Sequence, residues 1–141
     1  MIGGTIYMAK LTAIEGIGEV YAAKLVDVGV KSVEALLEAG STKKGREELV
    51  EKTGLSSSLI LKWVNHADLF RIRGVGGEYA ELLEAAGVDT VVELAGRNAE
   101  NLTKKMEEVN VERKLVRRVP VLSQVSDWVA QAKELPRGIH Y

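Results

Sequence analysis

The chain repeats itself. Leu11-Thr-Ala-Ile14-Glu-Gly16-Ile-Gly18-Glu-Val-Tyr21-Ala22 returns as Leu69-Phe-Arg-Ile72-Arg-Gly74-Val-Gly76-Gly-Glu-Tyr79-Ala80, at a constant shift of 58 residues. The register holds through Leu25 and Leu83, Gly29 and Gly87, Val30 and Val88, Val33 and Val91, and Leu36 and Leu94. Trp63-Val64 and Ala67 are answered by Trp128-Val129 and Ala132 at a shift of 65, so the second copy carries 7 extra residues. A repeated unit that cannot bury its apolar face alone stacks against its copy. The expected organisation is therefore two tandem units, residues 9–67 and 68–135, packed into one pseudo-symmetric helical domain. Residues 1–8 and 136–141 are read as flexible tails.

Within each unit the apolar period is helical. Tyr21, Ala22, Leu25 and Val28 fall on one helix face, and Tyr79, Ala80, Leu83 and Ala86 repeat the pattern. Gly29 and Gly87 stop those helices, where a positive φ costs glycine nothing. Ser32 caps the next helix of the first unit; Thr90 with Glu93 reads as a capping box in the second. Ser56 is expected to cap a helix through Ala67, and Asn98 one through Val109, with Pro120 breaking helix beyond it. No alternating run long enough for a strand occurs. With 2 Pro and 5% aromatics among 141 residues, a sandwich or barrel is disfavoured, and the fold class is all-α. Trp63 and Trp128, in matching places, read as core.

Composition narrows the chemistry. There is no cysteine, which excludes disulfides, zinc fingers, iron–sulfur clusters and thiol nucleophiles. No basic n-region precedes an apolar run and no run of eighteen apolar residues occurs, so neither a signal peptide nor a membrane span is expected, and a cytoplasmic protein is. A second methionine leaves the start at Met1 or Met8. His66 and His140 are too far apart in sequence to suggest a ligand pair, and no metal or cofactor is expected. Gly40-Ser-Thr-Lys-Lys-Gly45 has the glycine spacing of a phosphate-binding loop, but Arg46-Glu47 stand where Lys-Ser/Thr is required. Carboxylates are scattered at amphipathic spacing, no catalytic constellation is visible, and no enzymatic activity is expected.

The Gly-hydrophobic-Gly turns are the informative motif. In each unit a short helical segment meets a longer one through Gly16-Ile17-Gly18 or Gly74-Val75-Gly76. Residues without side chains permit a tight turn and leave amide N–H groups facing outward at a helix N-terminus. With the positive end of the helix dipole, those donors suit one phosphate. Ile14-x-Gly16-Ile17-Gly18-x-x-x-Ala22-x-x-Leu25 and Ile72-x-Gly74-Val75-Gly76-x-x-x-Ala80-x-x-Leu83 resemble the helix-hairpin-helix family. The extension through Gly29-Val30 and Gly87-Val88 is similar to the tandem units of a bacterial and archaeal domain-of-unknown-function family. The resemblance covers about 130 of the 141 residues and implies sequence-independent binding of duplex DNA through hairpin amides and nearby cations. Carried onto this chain, Ile17-Gly18-Glu19 and Val75-Gly76-Gly77 supply donors, while Lys24, Arg71 and Arg73 supply charge.

Charge is unevenly spread although the net charge is only −1. Residues 69–112 sum to −4 and residues 113–141 to +4. Arg113, Lys114, Arg117 and Arg118 fall at i, i+1, i+4 and i+5, adjoining positions if the segment is helical, and form the best phosphate-binding patch; Lys43, Lys44 and Arg46 are second. Against this, the family's DNA-binding members place Lys or Arg just after the second glycine, where this chain has Glu19 and Glu78. A carboxylate repels phosphate there, which favours a rival reading as a protein-interaction or scaffold module, including a homo-oligomer.

Overall fold

Capping residues and an apolar period of 3.6 dictate where each element begins and which face it buries. The computed structural model describes residues 9–141; the expectations for residues 1–8 and for the start of the chain lie outside them. A 3-10 turn at Leu11–Ala13 precedes α1 (Glu19–Asp27), α2 (Val33–Gly40), α3 (Lys43–Thr53) and α4 (Ser57–Leu69). Then follow α5 (Gly77–Ala85), α6 (Val91–Ala95), α7 (Ala99–Arg113) and α8 (Leu122–Glu134). No strand occurs among the described residues, and the fold is all-α.

The caps explain the starts. Ser32, Thr42, Ser56, Thr90 and Asn98 each accept a hydrogen bond from the amide three residues on, at 2.9–3.4 Å. Only half of the expected box forms at α6, because the Glu93 carboxylate accepts from the amide of Asp89 rather than that of Thr90. At the C-terminal ends of α1 and α5, Gly29 and Gly87 take φ of 89° and 95°. The amides of Val30 and Val88 then donate to Leu25 and Leu83, each at 2.9 Å, closing the orphan carbonyls.

Matching positions in the two halves carry matching contacts. Tyr21 packs on Trp63 with ring centroids 5.1 Å apart, and Tyr79 on Trp128 at 5.2 Å. Both indoles are buried, as expected of core residues. Two apolar clusters form the core. One gathers Leu25, Leu36, Ile60 and Trp63 with their neighbours, the other Leu83, Leu94, Leu102 and Trp128 with theirs, and Phe70 packs against both.

Helix α4 joins the halves. Its Asp68, fully buried, accepts from the Val91 amide at the start of α6 (2.8 Å) and from Arg71 (2.8 Å). Two residues earlier, His66 Nε2 lies 3.2 Å from Glu84 Oε2 on α5, and Lys62 Nζ lies 3.5 Å from the same carboxylate. The His66 contact holds the Glu84 carboxyl below its usual value; burial opposes the shift, and the charges of His66 and Lys62 add to it.

The segment 136–141 is not a loose tail, which corrects the expectation from sequence. It runs back across the first half. Ile139 is 2% exposed and joins the first half's core, and the His140 amide donates to the Ser41 carbonyl at 2.7 Å. Arg46, itself buried, donates to the carbonyls of Gly40 and His140, while the Tyr141 hydroxyl donates to Asn65 at 3.1 Å. A polar-looking composition hid a single apolar anchor and a set of backbone partners supplied by distant helices.

Candidate nucleic-acid interface

Each glycine of the two turns has its own physical reason. Gly16 and Gly74 take φ of 93° and 98°, a region closed to most side chains, and the nearest atom to a side chain there would be the indole nitrogen of Trp63 or Trp128. The first glycine thus turns the chain over a buried tryptophan. Gly18 and Gly76 are the N-caps of α1 and α5, with extended φ of −90° and −108° and nothing within 4 Å of where a side chain would begin. Neither strain nor packing requires glycine there. Neither helix has a side-chain cap.

The two amides expected as donors from Ile17 and Val75 are already taken. They donate to the carbonyls of Ile14 and Ile72, both at 3.1 Å, and their side chains are buried as plugs between the helices. The amides of the residues that follow, Gly18-Glu19 and Gly76-Gly77, have no acceptor among the described residues. Gly77 also has a second constraint: a side chain on it would collide with the Ala13 carbonyl oxygen and would lie 3.4 Å from the Glu15 carboxylate. The first half's 3-10 turn therefore abuts the N-terminus of α5, and the Glu15 charge favours the positive end of that helix.

The predicted cations separate in the structure. Arg71 does not serve the turn, because its guanidinium is bound to Asp68 (2.8 Å) and to the Pro136 carbonyl (2.6 Å), where it secures the returning segment. Lys24 is exposed but stands in the last turn of α1, roughly 9 Å along the axis from Gly18. Arg73 is exposed, and its backbone is fixed on both sides by Gln131 of α8, which accepts from its amide (2.8 Å) and donates to its carbonyl (3.1 Å).

Arg113, Lys114, Arg117 and Arg118 do not share a helix, which corrects the spacing argument. Helix α7 runs four residues past Val109 and ends at Arg113; Lys114 takes a left-handed conformation with φ of 51°. The remaining residues form a loop fixed by Asn110, whose side chain donates to the Val116 carbonyl and accepts from the Val116 amide, both at 3.0 Å. Pro120 is buried at the end of this loop, just before α8. The Tyr79 hydroxyl donates to the Arg118 carbonyl at 3.0 Å. Tyr79 stands three residues after Gly76, so this bond brings the basic loop to the second turn. All four cations are exposed, and among the described residues no carboxylate lies within 4 Å of any of them.

Sequence reasoning missed Tyr79, Asn110, Gln131 and Glu15. Tyr79 was legible only as part of an apolar face, and the other three act on residues whose proximity the fold creates.

No helix among the described residues is long and apolar enough to cross a membrane. A family described as a domain of unknown function, DUF4332, matches residues 15–135. No curated protein and no solved structure matches the chain.

Proposed function

The chain belongs to the DUF4332 family, and from that premise we propose that it is a non-enzymatic, sequence-independent binder of duplex nucleic acid. In this reading its halves are two tandem helix-hairpin-helix units related by pseudo-symmetry, each presenting a glycine turn to phosphate. One observation carries the reading. Among the described residues, five of the eight helices begin under a Ser, Thr or Asn side chain, and α8 begins with Gln124 folded back onto the Val121 amide. Only α1 and α5, among the described residues, begin on a glycine that faces open space without a side-chain cap. No side chain among the described residues caps their first-turn amides, although the Ala13 carbonyl and the Glu15 carboxylate lie against the start of α5; a phosphate oxygen is the external acceptor that the helix dipole favours.

The test is fluorescence anisotropy of a labelled random-sequence duplex with the full chain and with a Gly18→Phe/Gly76→Phe variant. Both positions are unconfined, so the variant is expected to keep its helicity by circular dichroism. Binding that falls steeply with salt and is lost in the folded variant supports the reading. Absence of binding by the parent chain at low salt overturns it. A protein-interaction reading, including self-association, is favoured by one feature of the first turn: Val20 is 72% exposed between Glu19 and the rest of α1. An exposed valine beside a carboxylate suits a protein surface better than a phosphate.

A further inference from the structure

The second half differs from the first mainly where its extra residues lie. Helix α3 has 11 residues and α7 has 15; the α3–α4 connection is Gly54-Leu55-Ser56, whereas the α7–α8 connection spans residues 114–121. The short connection carries no cation. The long one, with the last residue of α7, carries Arg113, Lys114, Arg117 and Arg118.

We propose that this loop is the dominant phosphate-contacting element of the molecule, so that nucleic acid engages chiefly the second half. The inference rests on the nucleic-acid reading above and narrows it to one surface. Three observations support it. First, the loop's backbone is held in place while its charges stay free: Asn110 clamps Val116 from both sides, Val116 and Pro120 are buried, and Tyr79 tethers Arg118. Fixed backbone lowers the ordering cost of a contact, and free guanidinium groups keep their forks for phosphate oxygens.

Second, three of the cations elsewhere are committed within the fold, and those left exposed are not gathered on a fixed loop. Arg46 serves two carbonyls, Arg71 serves Asp68 and Pro136, and Lys62 faces Glu84. The carboxylates nearest the loop in sequence, Glu108 and Glu112 on α7, pair with none of its four charges. Third, the Tyr79 tether sets this charge beside the start of α5, where Glu15 and Glu78 also stand, whereas the connection Gly54-Leu55-Ser56 brings no cation to the first half. Unpaired cations attract a polyanion, and their neutralisation releases condensed counterions from the duplex.

The experiment compares charge-matched variants of the full chain by anisotropy with a random-sequence duplex at three salt concentrations. Arg113→Gln/Lys114→Gln and Arg117→Gln/Arg118→Gln each remove two loop charges. Lys31→Gln/Lys52→Gln removes two exposed charges from the first half, so all three variants have equal net charge. Circular dichroism confirms that each is folded. Each loop pair is expected to weaken binding about tenfold or more and to flatten the log–log salt dependence by about 2, while the control pair stays within about twofold of the parent.

Loop variants that bind like the parent overturn the inference and leave the hairpin reading standing. A control pair that loses as much as the loop pairs also overturns it, by showing a response to net charge alone. A parent chain that does not bind at low salt overturns both readings together.

Discussion

Gly76 and Gly77 are neighbours with opposite requirements. Gly76 faces open space in an extended conformation, so alanine there is expected to change stability by no more than about 0.5 kcal/mol. Alanine at Gly77 would place its methyl into the Ala13 carbonyl, and overpacking of that kind costs about 1–3 kcal/mol. Urea denaturation of the two single variants measures the contrast; equal midpoints would show that the 3-10 turn yields freely. From sequence the pair read as one donor group. Nothing in the spacing distinguishes them, because the constraint on Gly77 comes from a carbonyl 64 residues earlier in the chain.

At the scale of elements, the helices were legible because their signals are local. Ser32, Ser56, Thr90 and Asn98 all cap where expected, and Gly29 and Gly87 stop helices with positive φ. The basic segment was misread because charges at i, i+1, i+4 and i+5 fit a helix, while the actual stop is a lysine in the left-handed region. A non-glycine C-terminal stop has no sequence signature, and here the Asn110 clamp on Val116 maintains the turn. The segment 136–141 failed for a different reason: its partners lie on α2, α3 and α4. Removing its anchor with Ile139→Ala is expected to cost about 2–5 kcal/mol, as for other buried isoleucines cut to alanine. A loss below about 0.5 kcal/mol in denaturant titrations would show that the segment adds little to the first core.

At the scale of the molecule, the junction couples the halves through ionisable groups. Glu84 is held below its usual value of 4.5, chiefly by His66, so its contribution is complete above about that pH and is lost as pH falls through the lowered value. Asp89, raised by burial and by Glu93 and Glu84, acts in the opposite sense over the same range. Glu84→Gln is therefore expected to lower the melting temperature at pH 7 by a few degrees and to reduce its fall between pH 5 and pH 3. A variant whose melting curve parallels that of the parent across this range would remove the ion pair from the account. The repeat in the sequence suggests two similar units but gives no sign of this seam, because the groups that form it lie at positions the repeat does not share: Trp63 and Trp128 match, yet His66 corresponds to Gln131.

The returning segment has a consequence for the order in which the chain can assemble. Ribosomes deliver residues from the amino end at roughly 5–20 per second. By the time Leu69 emerges, every helix of the first half has been made, but the side chain that seals its core, Ile139, is still 70 residues away. For roughly 4–14 s at that rate the first half must wait without the Ile139 side chain that completes its core. Its completion waits on the second half, so the part of the chain made first is finished after the part that follows it.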